Sequence, residues 1–137
     1  MKKLWYGIFL LPLFCLSQHT LTVRAEGLKS SKGLVAVGVY NTADTFLEDG
    51  KTFTGVFEPA KEGTTTILIH DLPAGTYAVS IFHDENGNKK LDTNFMGIPK
   101  EPVAFSKAKM KTFGPPGFDE CAFDLKGDLE IRIAFKE

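Results

Sequence analysis

Asp84, Asn86, Asn88 and Asp92 place oxygen-bearing side chains at the first, third, fifth and ninth positions of the run Asp84-Glu85-Asn86-Gly87-Asn88-Lys89-Lys90-Leu91-Asp92. Side chains so spaced in a tight loop can converge on a hard cation such as Ca²⁺, with the backbone carbonyl of about Lys90 taking the seventh position. The same residues also have a plainer use. Asn tolerates left-handed backbone angles and Gly has no Cβ to clash, so clusters of the two make turns. An EF-hand needs Gly at the sixth position and a bidentate Glu at the twelfth, where this chain has Lys89 and Phe95. A sensor-type EF-hand is therefore excluded, and Lys89 and Lys90 oppose a cation. A loop on a β scaffold can still recruit a remote carboxylate, and Asp119 or Glu120 is the expected donor. Cation site and polar turn both remain open at this level.

The other chemistry-bearing residues assemble less. His19, His70 and His83 show no His-x-His or His-x₃-His spacing, and Zn²⁺ needs three or four convergent N or S ligands. His83 is expected to hydrogen-bond a turn at a strand end. Glu85 and Asp92 resemble a paired-carboxylate hydrolase only superficially, because nothing in their polar loop would desolvate either one. There is no Gly-x-Ser-x-Gly elbow, and in Gly114-Pro115-Pro116-Gly117 the prolines remove the N–H donors that a phosphate would need. Cys121, beside Ala122, Phe123 and Leu125, reads as a buried, inert thiol. No enzymatic activity is expected, and no catalytic residue is assigned.

Phe95, Met96, Phe105, Phe113 and Phe118 are interleaved with Gly-Pro turns. They can line a groove for a peptide, glycan or lipid, or fold back to plug the scaffold. The aggregation risk of exposing five large apolar side chains favours the plug.

The N-terminus sets the expected compartment. Lys2 and Lys3 precede an apolar run from Leu4 to Leu16, which has the length of an export signal and is too short to span a bilayer comfortably. Cleavage fits the small-residue rule after Ser17 or after Ala25. The second cut would discard Leu21 to Glu26, whose alternation is that of a half-buried strand, so residues 1–17 are read as signal peptide and 18–137 as one domain. Lipidation of Cys15 is the rival, disfavoured by Phe14 in front of it. The expected location is periplasmic or secreted, with no transmembrane segment after signal removal. Cys121 is then the sole cysteine, so no internal disulfide can support the fold. The formal net charge of −1 falls further once Lys2 and Lys3 are removed, and nucleic-acid binding is excluded.

Hydrophobic period two runs through almost everything else. Leu21 to Glu26, Gly33 to Asn41, Thr52 to Phe57 (marked by Phe53 and Phe57), Thr64 to His70, Thr76 to Phe82, the short run Cys121 to Leu125, and Leu129 to Phe135 give about seven strands. Leu129, Ile131, Ile133 and Phe135 are expected to face the core, and Leu21 to Glu26 is expected at or near a sheet edge. The fold class is all-β, a single antiparallel β-sandwich. At Asp71-Leu72-Pro73-Ala74-Gly75 two strands pair or cross between sheets. Asp84 to Glu120 has little regular pattern but is too apolar for a disordered tail, and is expected to cap one end of the sandwich.

Several runs together carry a resemblance: His83-Asp84-Glu85-Asn86-Gly87-Asn88, Leu91-Asp92-Thr93-Asn94-Phe95-Met96-Gly97-Ile98-Pro99, Phe113-Gly114-Pro115-Pro116-Gly117-Phe118, Gly27 to Gly33, and Leu72-Pro73-Ala74-Gly75-Thr76-Tyr77-Ala78-Val79. The chain resembles the exported bacterial family catalogued as domain of unknown function 2141 over nearly all of the mature sequence. The resemblance implies a small Ig-like or transthyretin-like β-sandwich and transfers no catalytic residue. The functional expectation is a non-enzymatic binding or interaction module that can hold Ca²⁺ through Asp84, Asn86, Asn88, Lys90 and Asp92. Its partner would be a protein, glycan or small molecule. The alternatives are a purely structural accessory domain and, behind it, a hydrolase.

Overall fold

The computed structural model describes Gly7 and residues 17–136. The leader expected over residues 1–17, including Cys15, therefore lies outside the described residues except for Gly7 and Ser17. The elements run β1 (Gln18–Leu28), β2 (Leu34–Tyr40), β3 (Thr54–Pro59), β4 (Gly63–Pro73), β5 (Gly75–Asp84), β6 (Val103–Phe105), a one-turn helix α1 (Phe118–Cys121), β7 (Phe123–Leu125) and β8 (Leu129–Ala134). No described helix is long and apolar enough to cross a membrane.

Two sheets pack face to face. One has the order β4-β1-β8; the other has the order β3-β2-β5-β6, with β7 also paired to β5. Between them lie Leu21, Val23 and Ala25 of β1, Val35, Val37 and Val39 of β2, Ile67 and Ile69 of β4, Tyr77, Val79 and Ile81 of β5, and Leu125, Ile133 and Phe135. These are the period-two positions, and alternation alone sends them all to one face of each sheet. The β-sandwich expected from the sequence is thus the observed architecture.

The chain crosses between sheets with only Ala74 separating β4 from β5. Asp71 takes a left-handed backbone angle, φ 62°, while Leu72 stays buried. The Tyr77 hydroxyl donates to the Pro73 carbonyl at 2.6 Å, clamping the corner as the tyrosine corner of immunoglobulin-type sandwiches does. Of the two expectations for this segment, crossing is the one realised.

Several expectations need correction. Among the described residues there are eight strands rather than about seven, because the three-residue β6 lies inside the segment read as irregular. β1 is near an edge rather than at one: it is the middle strand of its three-stranded sheet, antiparallel to β4 and parallel to β8. Leu129 shares the core face of β8 with Ile131 and Ile133, since it pairs with buried Leu21, but it is not buried. It is 36% exposed, Ile131 is half-buried, and only Ile133 and Phe135 are buried. β8 is an edge strand, and its first residue lies where the opposing sheet no longer covers it. In β3 the register is offset from the aromatic pair, since Val56 packs on the core while Phe53 and Phe57 are exposed.

The segment from Asp84 to Glu120 divides: its first part forms the loop beyond the end of β5, and the part from Val103 onward packs on the outer face of the larger sheet, where Phe105 and Cys121 bury Ala78 together with Phe46 and Phe118. Phe46 stands edge-on to Tyr40 at 5.2 Å and to Phe118 at 5.8 Å. Ser106 completes the attachment. Its amide donates to the Val79 carbonyl at 2.9 Å, its hydroxyl accepts the Val79 amide at 3.0 Å, and the hydroxyl donates to the Cys121 carbonyl at 2.6 Å. One buried serine thus bridges the gap between β6 and β7 along β5.

Candidate functional site

The acidic loop leaves the sandwich where β5 ends. Leu34 pairs with Asp84 and Val35 with His83, so the start of β2 holds the base of the loop. His83 and Asp84 are buried, at 1% and 0% exposure. The His83 Nε2 lies 2.7 Å from the Lys32 carbonyl, and since a carbonyl only accepts, Nε2 carries the proton. Nδ1 is 3.8 Å from a Glu85 carboxylate oxygen. This is the strand-end role expected of His83, a ring tied to the turn before β2.

Beyond Asp84 the loop is closed by its own side chains. The Asp84 carbonyl accepts the Gly87 amide at 3.2 Å, and Asp84 Oδ2 accepts the Lys89 amide at 2.7 Å. Asn86 Oδ1 accepts the Asn88 amide and Asn88 Oδ1 accepts the Lys90 amide, two successive Asx turns. The carboxamide Nδ2 atoms of Asn86 and Asn88 both turn onto Asp92, at 2.7 and 2.9 Å. These bonds hold the Asp92 carboxyl below its usual range. Lys89 reaches back over the Phe57 ring, 5.5 Å from its centroid, which draws one of the two opposing charges onto the sandwich wall.

Asn86, Asn88 and Asp92 therefore meet around the Asp92 carboxylate, through the carboxamide nitrogens rather than the oxygens that a cation would need. Asp84 sits behind them at the buried root, and Lys90 takes part through its amide. Asp84 Oδ1 is buried without a hydrogen-bond partner. A buried carboxylate oxygen with no donor is costly and calls for an ion, a proton or a water.

The remote carboxylate is neither Asp119 nor Glu120. Glu120 is bound to Lys111 at 2.6 Å and to the Gly117 amide at 2.7 Å, which hold its carboxyl below the ordinary range. Asp119 is an exposed residue of α1. Glu101 comes to the loop instead: it accepts the Glu85 amide and the Asp92 amide, one on each oxygen, both at 3.0 Å. Burial pushes the Glu101 carboxyl up, and repulsion from Asp84 and Asp92 adds to the rise, against the opposing effect of the two amides. No spacing rule in the sequence links Glu101 to Asp84. The only hint is that it follows the apolar turn that brings the chain back.

Asp84, Asp92 and Glu101 thus bring three carboxylates to an oxygen-rich loop, where the charges of the first two act on Glu101. Oxygen-only donors suit Ca²⁺ or Mg²⁺ rather than Zn²⁺, and the flexible carboxamides suit the larger ion. Among the described residues no cluster of three or more His, Cys, Asp and Glu side chains is arranged as a ready metal centre. Loading would therefore require Asn86 and Asn88 to turn their oxygens inward from the Asx turns.

The five aromatic-loop residues divide. Phe105 is buried and Phe118 packs beside it, as the plug expectation has it, whereas Phe95, Met96 and Phe113 stand out in solvent. A family model described as an uncharacterised protein conserved in bacteria, DUF2141, matches residues 23–132, which include every strand except the ends of β1 and β8. No curated protein and no solved structure matches the chain.

Proposed function

We propose that this chain, which belongs to the uncharacterised bacterial family DUF2141, is an exported, non-catalytic β-sandwich module whose acidic loop binds one Ca²⁺. The observation that carries the proposal is Asp84 Oδ1, a buried carboxylate oxygen left without a donor at the first position of the loop. Asp84, Asp92 and the side-chain oxygens of Asn86 and Asn88 are the donors, the Lys90 carbonyl completes the set, and Glu101 supplies a further negative charge. Export rests on the leader expected over residues 1–17. Burial of Leu21, Val23 and Ala25 in the central strand of their sheet favours a cut before them over one after Ala25, which would remove part of the core. The reading takes Asp84, Asp92 and Glu101, which accept backbone or carboxamide donors, as ion-binding and loop-closing groups rather than as acid/base catalysts.

A second reading has its own support. The bonds from Asn86 and Asn88 to Asp92 already close the loop, as a purely structural turn would. Calorimetric titration of Ca²⁺ into chelator-treated exported protein separates the two. The cation reading expects one site with a dissociation constant of roughly 10⁻⁴ to 10⁻³ M, because few carboxylates offset the charge. The structural reading expects no saturable heat.

A further inference from the structure

β8 ends its sheet with an open side. Its register against β1 runs without a bulge from the pair Leu21 and Leu129 to the pair Glu26 and Ala134, and its sequence has no proline. The Phe135 amide donates to the Glu26 carbonyl at 2.9 Å. Along a parallel ladder successive residues turn their N–H and C=O groups to opposite sides, so Ile131 and Ile133 bond to β1 as Phe135 does. Glu130, Arg132 and Ala134 then point theirs away from β1, where no strand among the described residues takes them. Such a row of free donors and acceptors is a template for another strand, and the bulge or proline that blunts many natural edges is missing here.

The side chains of the same strand are also incompletely partnered. On its outer face Arg132 stands opposite Arg24 of β1, like charges that are offset diagonally, Arg24 by Glu130 at 3.3 Å and Arg132 by Glu26 at 3.8 Å. Neither pair uses its groups up, since the Arg132 side chain is still 68% exposed and that of Glu130 47%. A further carboxylate directly opposite Arg132 would relieve a row that now holds two arginines. On the inner face Leu129 is exposed and Ile131 only half-buried.

We propose that β8 is the interface of a symmetric dimer, in which two copies of the chain pair β8 antiparallel about Ile131 and join their three-stranded sheets into one. The strand itself argues for a second copy. Under a two-fold axis the outward backbone groups of Glu130 and Arg132 must meet the same groups of the other chain, so the axis can pass at Glu130, Ile131 or Arg132 with most of the strand still overlapping. At Glu130 it would set glutamate against glutamate, and at Arg132 arginine against arginine. At Ile131 it sets Glu130 opposite Arg132 of the second copy and Arg132 opposite its Glu130, and each of these pairs exchanges both N–H···O bonds. The same register sets Leu129 opposite Ile133 of the second copy and Ile131 opposite its counterpart, which covers the apolar side chains that the opposing sheet leaves part-exposed. A strip one strand long falls short of the roughly 800 Å² per partner of a standard interface, so the dimer is weak and dissociates on dilution. This proposal goes beyond the Ca²⁺ reading and does not depend on it.

The test is sedimentation velocity of the exported protein in chelator, over concentrations from about 1 µM to 1 mM. Wild type should pass from monomer to dimer across this range. Glu130→Arg and Arg132→Glu, each with unchanged melting, should dimerise about tenfold more weakly or less, because each sets like charges opposite one another across the axis. Mixing the two variants should restore a dimer, in which every facing pair is again opposite in sign. The mixture does not restore the pairs with Arg24 and Glu26 inside each chain, so a purely intrachain role for these side chains predicts no recovery. In wild type, amide exchange should slow with concentration at Glu130 and Arg132 and stay constant at Ile131, which is already bonded to β1. The proposal is overturned if wild type stays monomeric at the top of the range, if either variant dimerises within about twofold of wild type, or if the mixture shows no recovery. Concentration-dependent protection that spares Glu130 and Arg132 would also overturn it, by assigning the contact to another surface.

Discussion

The backbone carbonyl of Asp84 occupies the place where a side chain on Gly33 would put its Cβ. Gly33 also has φ +68°, a left-handed angle that costs other residues energy. Both effects act at the root of the acidic loop, where Leu34 pairs with Asp84. Gly33→Ala is expected to destabilise the protein by roughly 3 kcal/mol or more and to move the Asp84 carboxylate. Gly87→Ala is the control. Its φ is the same +68°, but a Cβ there meets nothing within 4 Å, so only the conformational cost of about 1 kcal/mol applies. Chemical denaturation of the two variants measures the difference.

Ser106 should be worth more than its size suggests. Ser106→Ala leaves the Val79 amide and the Cys121 carbonyl without their partner in a buried setting. A loss of about 1–3 kcal/mol is expected, with faster amide exchange at Val79.

Along β8 the substitution costs should form a gradient. Ile133→Ala, at a position 2% exposed, should cost about 2–5 kcal/mol. Leu129→Ala should cost under about 1 kcal/mol because the side chain is already partly in water. Glu130→Ala removes an exposed ion pair with Arg24, 3.3 Å long, and should cost at most about 1 kcal/mol. Equal losses at Leu129 and Ile133 would contradict the burial gradient along β8.

The strands were legible because period two survives wherever both sheets contribute to one core. Leu21, Val23 and Ala25, or Tyr77, Val79 and Ile81, needed nothing beyond alternation. Phe53 and Phe57 misled because an edge strand can keep large apolar residues outside, and Phe57 gains a cation in Lys89 by doing so. β6 escaped notice because three residues have no period to read and are held by Ser106, whose partners Val79 and Cys121 lie in other elements. At the candidate site the local members of the loop network, Asp84, Asn86, Asn88 and Asp92, could be read from their spacing. Glu101 could not, because only the return of the chain brings it to the loop.

Cys121 should be unreactive in the native protein. Burial pushes its thiol up to about 11 from an ordinary value near 9, with Glu120 adding to the rise. At pH 8 native protein should resist thiol reagents and react on unfolding. The sign of the pH effect follows from linkage. Above about pH 9 the unfolded chain loses this proton first, so stability should decline as pH rises towards 11. Rapid labelling of folded protein at pH 8 would contradict the burial of the thiol.

The most direct test of the Ca²⁺ site is the melting temperature of the exported protein in chelator and in about 10 mM Ca²⁺. With a dissociation constant near 10⁻⁴ M, linkage gives about 2.7 kcal/mol of added stability, which a domain of this size registers as a rise of several degrees. Asp84→Ala or Asp92→Ala should abolish the rise. Glu85→Ala should keep most of it, because Glu85 faces His83 rather than the Asn86–Asp92 network. A melting temperature unchanged by Ca²⁺ would contradict the account and leave the loop as a turn closed by Asn86, Asn88 and Asp92 alone.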